Sequence, residues 1–482
     1  MRSSANRYFP ILTTHHYRGV CNFGSLVEKT RLGRQARETE VKWQSMFNSV
    51  SHQNRPSGRE SSVVFHATAL ILLTGASSIS VATQTGADEN VAAALKTQAI
   101  SAALEHVELH RDSTTAFLAH IAAIVSPSGQ EHERAEAVAA RMRDIGLTSV
   151  LVDETPNAIG VIPGSSGKSL VFISTLDDLA TVADHQRAAT TSPHVDGDRL
   201  LGPGTNTSSS TASILAAAEA LVASGFRPEH DLVFAAVAQE ETGLIGMKVV
   251  YEAFQDRAVG FVDVLGDGRR ISYGAIGIHW WRVIATGPPG HSLSGGLPNV
   301  NQAIGRAVDR ILQIPLPTGH QDSRTIVNVA MLQSGAVFNH KPATGWFSLD
   351  IRSLDMNVID TIEAGVNSVL SDVSSETGIQ LEMQPFQLTP SGQIPGARES
   401  ALVTTAAAIS RHLGLEPTLS NSGSSNMNVA LGNGSLAIGL GGSRGGKRAE
   451  VGEWADVPAM LRTATHVVLL SATIGGGFNG AN

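Results

Sequence analysis

The stretch Asp231-Leu-Val-Phe-Ala-Ala-Val-Ala-Gln-Glu-Glu-Thr-Gly243 decides the fold class. Its apolar run has no polar alternation, so a strand over Asp231–Ala238 must be buried on both faces. The run then stops on two adjacent carboxylates. The same layout occurs twice more: Ser169–Leu176 runs into Asp177-Asp178, and Phe261–Leu265 runs into Gly266-Asp267-Gly268. Short strands buried on both faces belong to a mostly parallel sheet with helices on both faces, an α/β fold. Ligands of such sheets bind beyond the carboxyl ends of the strands. Three strands ending in Asp or Glu therefore bring acidic groups to one edge, although a single carboxylate there is more often a solvated turn residue.

Outward from this stretch, the intervening segments have helical spacing. Residues 89–124 and Glu131–Ile145 are expected helices, separated by Ser126-Pro127-Ser128-Gly129 and closed by Gly146. Ser149–Val152 and Ala158–Ile162 are expected strands, and Ser210–Ser224 and Leu244–Phe254 expected helices. Residues 278–385 change character. The pattern gives strand His279–Thr286, helix Val300–Leu312 and strands Thr325–Leu332 and Trp346–Ile351. Helix Val358–Val373 and strand Gln380–Pro385 complete it. That β-α-β-β-α-β order is ferredoxin-like. Alternation resumes at Glu399–Leu413 and ends with a helix over Val457–Ile474. The expected organisation is a discontinuous α/β domain, 88–277 and 393–476, interrupted by an inserted α+β domain at 278–392.

The chain has 482 residues, room for about three domains at roughly 150 residues each. Hydrophobic residues at 42% and charged residues at 16% exclude a disordered chain. The balance of 35 basic and 43 acidic residues gives −8, so nothing calls for a nucleic-acid partner. Cys21 is the only cysteine, which excludes a disulfide framework and a cysteine-based zinc knuckle.

Residues 1–82 do not read as part of the fold. Arg55 and Arg59 precede the apolar run Val63–Leu73, which is too short to span a bilayer, and small residues follow to Ser80-Val81-Ala82. That is the layout of a secretory signal peptide. It lies far from Met1; a start at Met46 would account for this, and a buried helix in an N-terminal extension is the other reading. On the signal reading the protein is periplasmic or secreted, with no stable membrane span in the mature chain.

Several short motifs recur in a fixed order. They are Thr175-Leu176-Asp177, Gly202-Pro203-Gly204, Gln239-Glu240-Glu241 and Gly266-Asp267-Gly268. Gly287-Pro288-Pro289-Gly290-His291-Ser292, Thr325-Ile326-Val327-Asn328-Val329, Phe338-Asn339-His340-Lys341-Pro342 and Asp350-Ile351-Arg352-Ser353 follow. Gly439-Leu440-Gly441-Gly442 and Glu453-Trp454 close the series. With these motifs the chain resembles, over about residues 95–475, the co-catalytic dizinc exopeptidases and deacylases. That family includes peptidase T, aminoacylase, succinyl-diaminopimelate desuccinylase and glutamate carboxypeptidase.

The resemblance implies a zinc-dependent hydrolase acting on small peptides or N-acyl amino acids, dimeric through the inserted lid. Glu240 would be the general base, Asp177 the residue that orients a ligand, and Glu241 and Asp267 metal ligands. His291 would stabilise an oxyanion in the partner subunit's site, and Asn328 and Arg352 would hold a substrate carboxylate. Their other readings are a turn histidine, a strand-edge asparagine and a salt-bridge arginine.

The metal-ligand positions depart from the family's pattern. Thr175, Thr207 and Ala449 stand at three of them, and Asn426 replaces an Asp in Ser424-Ser425-Asn426-Met427-Asn428. Zinc takes four donors, commonly including His. No His lies between 341 and 411 or between 413 and 465, and His185 and His194 sit in the expected loop after the Asp177 strand. Asp177, Glu240, Glu241 and Asp267 without metal would crowd negative charge. Arg448, with Lys447, is the expected counter-charge on the substrate side; a basic surface loop is the other reading. Two functions follow. One is a hydrolase of peptide or N-acyl amide bonds with a single metal or none. The other is a catalytically inactive homologue that binds a carboxylated small molecule or serves as a structural dimer.

Overall fold

The computed structural model describes residues 86–317, 321 and 323–477, so the expected leader at 1–82 lies outside the described residues. The strand Asp231–Val237 pairs in parallel with Ser169–Thr175, which pairs in parallel with Ala258–Val264, which pairs in parallel with Ala437–Gly441. Antiparallel pairs flank this core. Ala158–Ile162 and then Thr148–Val152 extend one side, and Arg270–Ser272 runs antiparallel to Ala437–Gly441 on the other, with Thr418–Ser420 beyond it. The mostly parallel α/β sheet expected from the three apolar runs is present.

Ser169–Thr175 is buried along its whole length, as its unbroken apolar pattern requires. Phe172 and Phe234, on neighbouring strands, stack with ring centroids 5.5 Å apart. Helix Thr205–Ala223 is buried from Thr205 to Ala218 and packs against helix Val457–Thr473. Its first turns are Ser and Thr rather than apolar residues, so this end is polar inside the protein.

The expected single helical stretch 89–124 is interrupted. Helices Gln98–Leu109 and Arg111–Ala123 meet at His110, whose ring stacks on that of His106 with centroids 3.6 Å apart. Hydrophobic periodicity does not register a one-residue break. Nor do His185 and His194 share a loop: His185 lies in helix Ala180–Ala188, and His194 begins the short strand His194–Asp196.

Residues 277–389 form a second sheet, antiparallel throughout, ordered Ile326–Asn328, Thr344–Ser353, Gly277–Thr286, Gln380–Thr389, with Leu332–Ser334 also on Thr344–Ser353. Helices Val300–Ile311 and Met356–Thr377 bury a core that includes Val283, Phe347, Ile304, Ile362 and Val366. Burial alternates along Thr344–Ser353 because one face meets this core and the other does not. Asn299 and Asp355 cap the two helices with side-chain oxygens, and Gly378 ends the second at φ 67°. Among the described residues no helix is long and apolar enough to cross a membrane.

Candidate functional site

The turn after Asp231–Val237 is built on Asp177, fully buried at the end of the neighbouring strand. Its Oδ1 accepts from Glu240 N at 2.9 Å, and its Oδ2 accepts from Glu241 N at 3.0 Å and Ser128 Oγ at 2.6 Å. Glu131 Oε1 adds a second brace, accepting from Gln239 N at 3.0 Å and Gly129 N at 2.8 Å. These contacts hold Gln239 at φ 55°, a left-handed conformation a non-glycine residue adopts only under constraint. The two glutamates are therefore presented by a backbone with little freedom.

Asp178 turns the other way. It pairs with Arg134 at 2.7 Å, both side chains at most 1% exposed, and Gln186 Nε2 donates to it at 3.0 Å. Arg134 also donates to the carbonyls of Leu176 and Ile124. Arg134 and Glu131 escaped the sequence reading because a charged residue in a polar-looking helix carries no mark of burial.

Glu240 is held well above the usual carboxylate range by burial first, then by Glu241, Asp177 and Asp263, with Arg448 acting in the opposite sense. Burial also raises Glu241, while Arg448 and Arg444 pull it down. Arg448 Nη2 donates directly to Glu241 Oε1. Arg444 faces Glu240, Asp263 and Glu241; burial and then the neighbouring Arg448 push it down to about 10.

Asp263 is completely buried, beside Ser425 and Asn426, and accepts from Met427 N at 3.2 Å. Burial pushes it up to about 6. It lies inside the apolar run Phe261–Leu265, where the sequence reading passed over it in favour of the strand-end Asp267. The structure places Asp267 elsewhere. It pairs with Arg269 and Arg462 at 3.2 Å each and accepts from Ser443 N at 3.0 Å. Of the expected site residues, Asp177, Glu240, Glu241 and Arg448 come together, and Asp267 stands apart from them.

The remaining ligand positions are engaged otherwise. Asn426 Nδ2 donates to Thr175 Oγ1 at 3.2 Å, and Thr207 is buried in the first turns of helix Thr205–Ala223. Glu453 accepts from Asn206 N at 3.1 Å and Ala449 N at 3.2 Å, the latter at φ 64°. Among the described residues, no group of three or more His, Cys, Asp and Glu side chains is arranged to hold a metal ion.

Of the residues expected on the substrate side, Asn328 and Arg352 lie on the second sheet, and His291 lies on a separate two-stranded pair of Gly290–His291 with His340–Lys341. The side-chain amide of Asn339 hydrogen-bonds His291 Nε2 at 2.9 Å, and Leu293 N donates to His291 Nδ1 at 3.2 Å. Arg352 Nε donates to Asp350 Oδ1 at 3.0 Å, and Trp280 Nε1 donates to the same oxygen at 2.9 Å. Asn328 is exposed on a strand, in register with Asp350. Among the described residues none of the three bonds to the Glu240–Arg448 cluster.

Comparison with known proteins follows the same geometry. The family model described as peptidase family M20/M25/M40 matches residues 178–472. Succinyl-diaminopimelate desuccinylase of Dinoroseobacter shibae is 27% identical over 243 residues, covering 48% of this chain and 63% of that relative, short of two thirds of its length. A tripeptidase from Staphylococcus aureus superposes with TM-score 0.63 at 18% identity, over 76% of this chain and 98% of that one. An aminopeptidase from Bacillus cereus gives TM-score 0.60 at 18% identity, over 75% and 97%. Human carnosine dipeptidase 1 gives 0.59 at 12%, over 78% and 99%. At these identities the solved structures share the fold.

Proposed function

The chain belongs to peptidase family M20/M25/M40, and from that premise we propose that it binds a small peptide or N-acyl amino acid without a dizinc centre, its arginines standing in for the metal charge. The observation that carries this reading is the pairing of Arg448 with Glu241, with Arg444 facing the same carboxylates. Zinc takes four donors. Here Glu241 is engaged by a guanidinium, Thr175 by Asn426, and Ala449 offers no donor side chain. These residues do not fit a pair of zinc ions. Guanidinium groups stay charged in proteins, so they can offset the crowded carboxylates permanently.

Arg444 has further capacity, since no side-chain hydrogen bond from the described residues occupies its fork. A guanidinium fork matches a carboxylate in a two-point contact, so Arg444 is the anchor for the ligand's carboxylate. Arg352 is already committed to Asp350. The raised Glu240 supports a second reading, metal-free hydrolysis with Glu240 as the acid–base group. On this reading the protein is a homodimer through the 277–389 region, with His291 reaching the partner's site, and is exported by the 63–82 segment.

The test is a set of N-acyl amino acids and dipeptides, scored by thermal stabilisation and by turnover, with and without chelator. Stabilisation without turnover, unchanged by chelator, is the expected result. Chelator-sensitive turnover would overturn it, and chelator-resistant turnover would establish the second reading instead.

A further inference from the structure

The segment Gly441-Gly442-Ser443-Arg444-Gly445-Gly446 carries an arginine with two glycines on its N-terminal side and two after it. Glycine restricts the backbone least, so the segment itself does little to fix where Arg444 points. Its order has to come from neighbours, and the structure shows two. Asp267 Oδ1 accepts from Ser443 N at 3.0 Å, and Asp456 N donates to the Arg444 carbonyl at 2.9 Å. The pair Ser443-Arg444 is therefore pinned at its first amide and its last carbonyl.

The Asp267 contact is specific to this loop. Asp267 is fully buried, and its two oxygens have different partners: Oδ2 pairs with Arg269 and Arg462, and Oδ1 takes the Ser443 amide. Gly442 stands at φ 142°, and a Cβ there would strike Asp267 Oδ1, so only glycine lets the carboxylate reach the next amide. Asp456 has another duty, capping helix Val457–Thr473 through Ala459 N at 2.8 Å. Held between them, Arg444 faces Glu240, Asp263 and Glu241.

We propose that Asp267 is a positioning residue: acting through the Ser443 amide, it aims Arg444 at the ligand's carboxylate. The inference rests on the proposed binding function and deepens it by naming what fixes its anchor. The carboxylate expected to hold a metal ion instead holds the loop that carries an arginine. A guanidinium makes its two-point contact only when its plane meets the carboxylate squarely. Without Asp267 the flanking glycines would let Arg444 swing, and the contact would lose affinity to the cost of ordering the loop. Parts of the ligand that Arg444 does not touch would bind as before.

N-Acetyl-leucine and N-acetyl-leucinamide differ only in the terminal carboxylate. Titration calorimetry of both, on the full chain, tests the inference. The acid is expected to bind at least about tenfold more tightly, the scale of one charge-assisted hydrogen-bonded contact. Asp267→Ala should bring that ratio close to unity by weakening the acid alone. Asp267→Asn, whose side-chain oxygen can still accept from Ser443 N, should keep most of it. Gly442→Ala tests the same contact from an exposed loop position, so the test survives if Asp267→Ala does not fold; it should lower the ratio as well. Arg306→Gln, on the exposed ion pair with Glu376, should keep the wild-type ratio. A ratio unmoved by Asp267→Ala and Gly442→Ala would overturn the positioning role while leaving the binding function intact. So would an equal loss of affinity for both compounds, the mark of a merely structural residue, or a ratio lost as fully in Asp267→Asn as in Asp267→Ala. Equal affinities in the wild type, or no binding of either compound, would overturn the anchoring at Arg444 itself.

Discussion

Arg448 and His466 show how single residues set the chemistry. Arg448 neutralises Glu241, so Arg448→Ala should leave Glu240, Glu241 and Asp263 mutually repelling. The side chain is 37% exposed and solvent screens the pair, so the expected loss is about 1 kcal/mol, read by urea denaturation at pH 7. Stability unchanged on that substitution would mean that the arginine is a surface residue. His466 is fully buried beside Ser410 and the Ala406 carbonyl, and burial pushes it down to about 4. The unfolded chain therefore binds a proton between roughly pH 6.5 and 4 that the folded chain rejects. Its contribution is fully present above pH 6.5 and is lost as pH falls toward 4, by up to roughly 3 kcal/mol. Stability measured across that range should decline less steeply in His466→Gln than in the wild type. At this scale the sequence disclosed Asp177, Glu240, Glu241 and Arg448, since turn acids after apolar runs and a basic loop are visible as such. It concealed Asp263, because a carboxylate inside an apolar run looks like an interruption of the strand.

The elements that hold the site are joined by polar contacts invisible to periodicity. Arg134, on helix His132–Asp144, binds Asp178 and two loop carbonyls, fixing that helix to the end of the Asp177 strand. Removing one partner of a buried ion pair leaves the other uncompensated. Arg134→Met should therefore cost roughly 3–5 kcal/mol in denaturant unfolding, and a loss no larger than that of an exposed arginine would show the pair to be dispensable. Gly204 opens helix Thr205–Ala223 at φ 82°, and a Cβ there would strike the Gln186 amide. Gly204→Ala should destabilise by about 2 kcal/mol, measured the same way. The buried strands of the parallel sheet were legible because their apolar runs are short and unbroken, whereas the expected strand Thr325–Leu332 is two strands, Ile326–Asn328 and Leu332–Ser334. Helix boundaries near His110 were not legible, since one residue at φ −100° interrupts the backbone without changing the apolar pattern.

For the molecule as a whole, the mostly parallel α/β sheet follows from the order of patterns, whereas the region 277–389 carries the strands Gly290–His291, Leu332–Ser334 and His340–Lys341 beyond the expected β-α-β-β-α-β order. The site's charge balance depends on tertiary placement. Asp267 and Asp263 are four positions apart on the chain, yet one is bound to Arg269 and Arg462 and the other faces Glu240. That separation, together with Arg444 and Arg448 at the cluster, is what the proposed replacement of metal charge by arginines rests on. The most direct measurement is zinc content by elemental mass spectrometry of the purified full chain after incubation with excess zinc and gel filtration. No stoichiometric zinc is the expected result. Zinc retained at one or two ions per chain, and lost on Glu241→Gln, would contradict it.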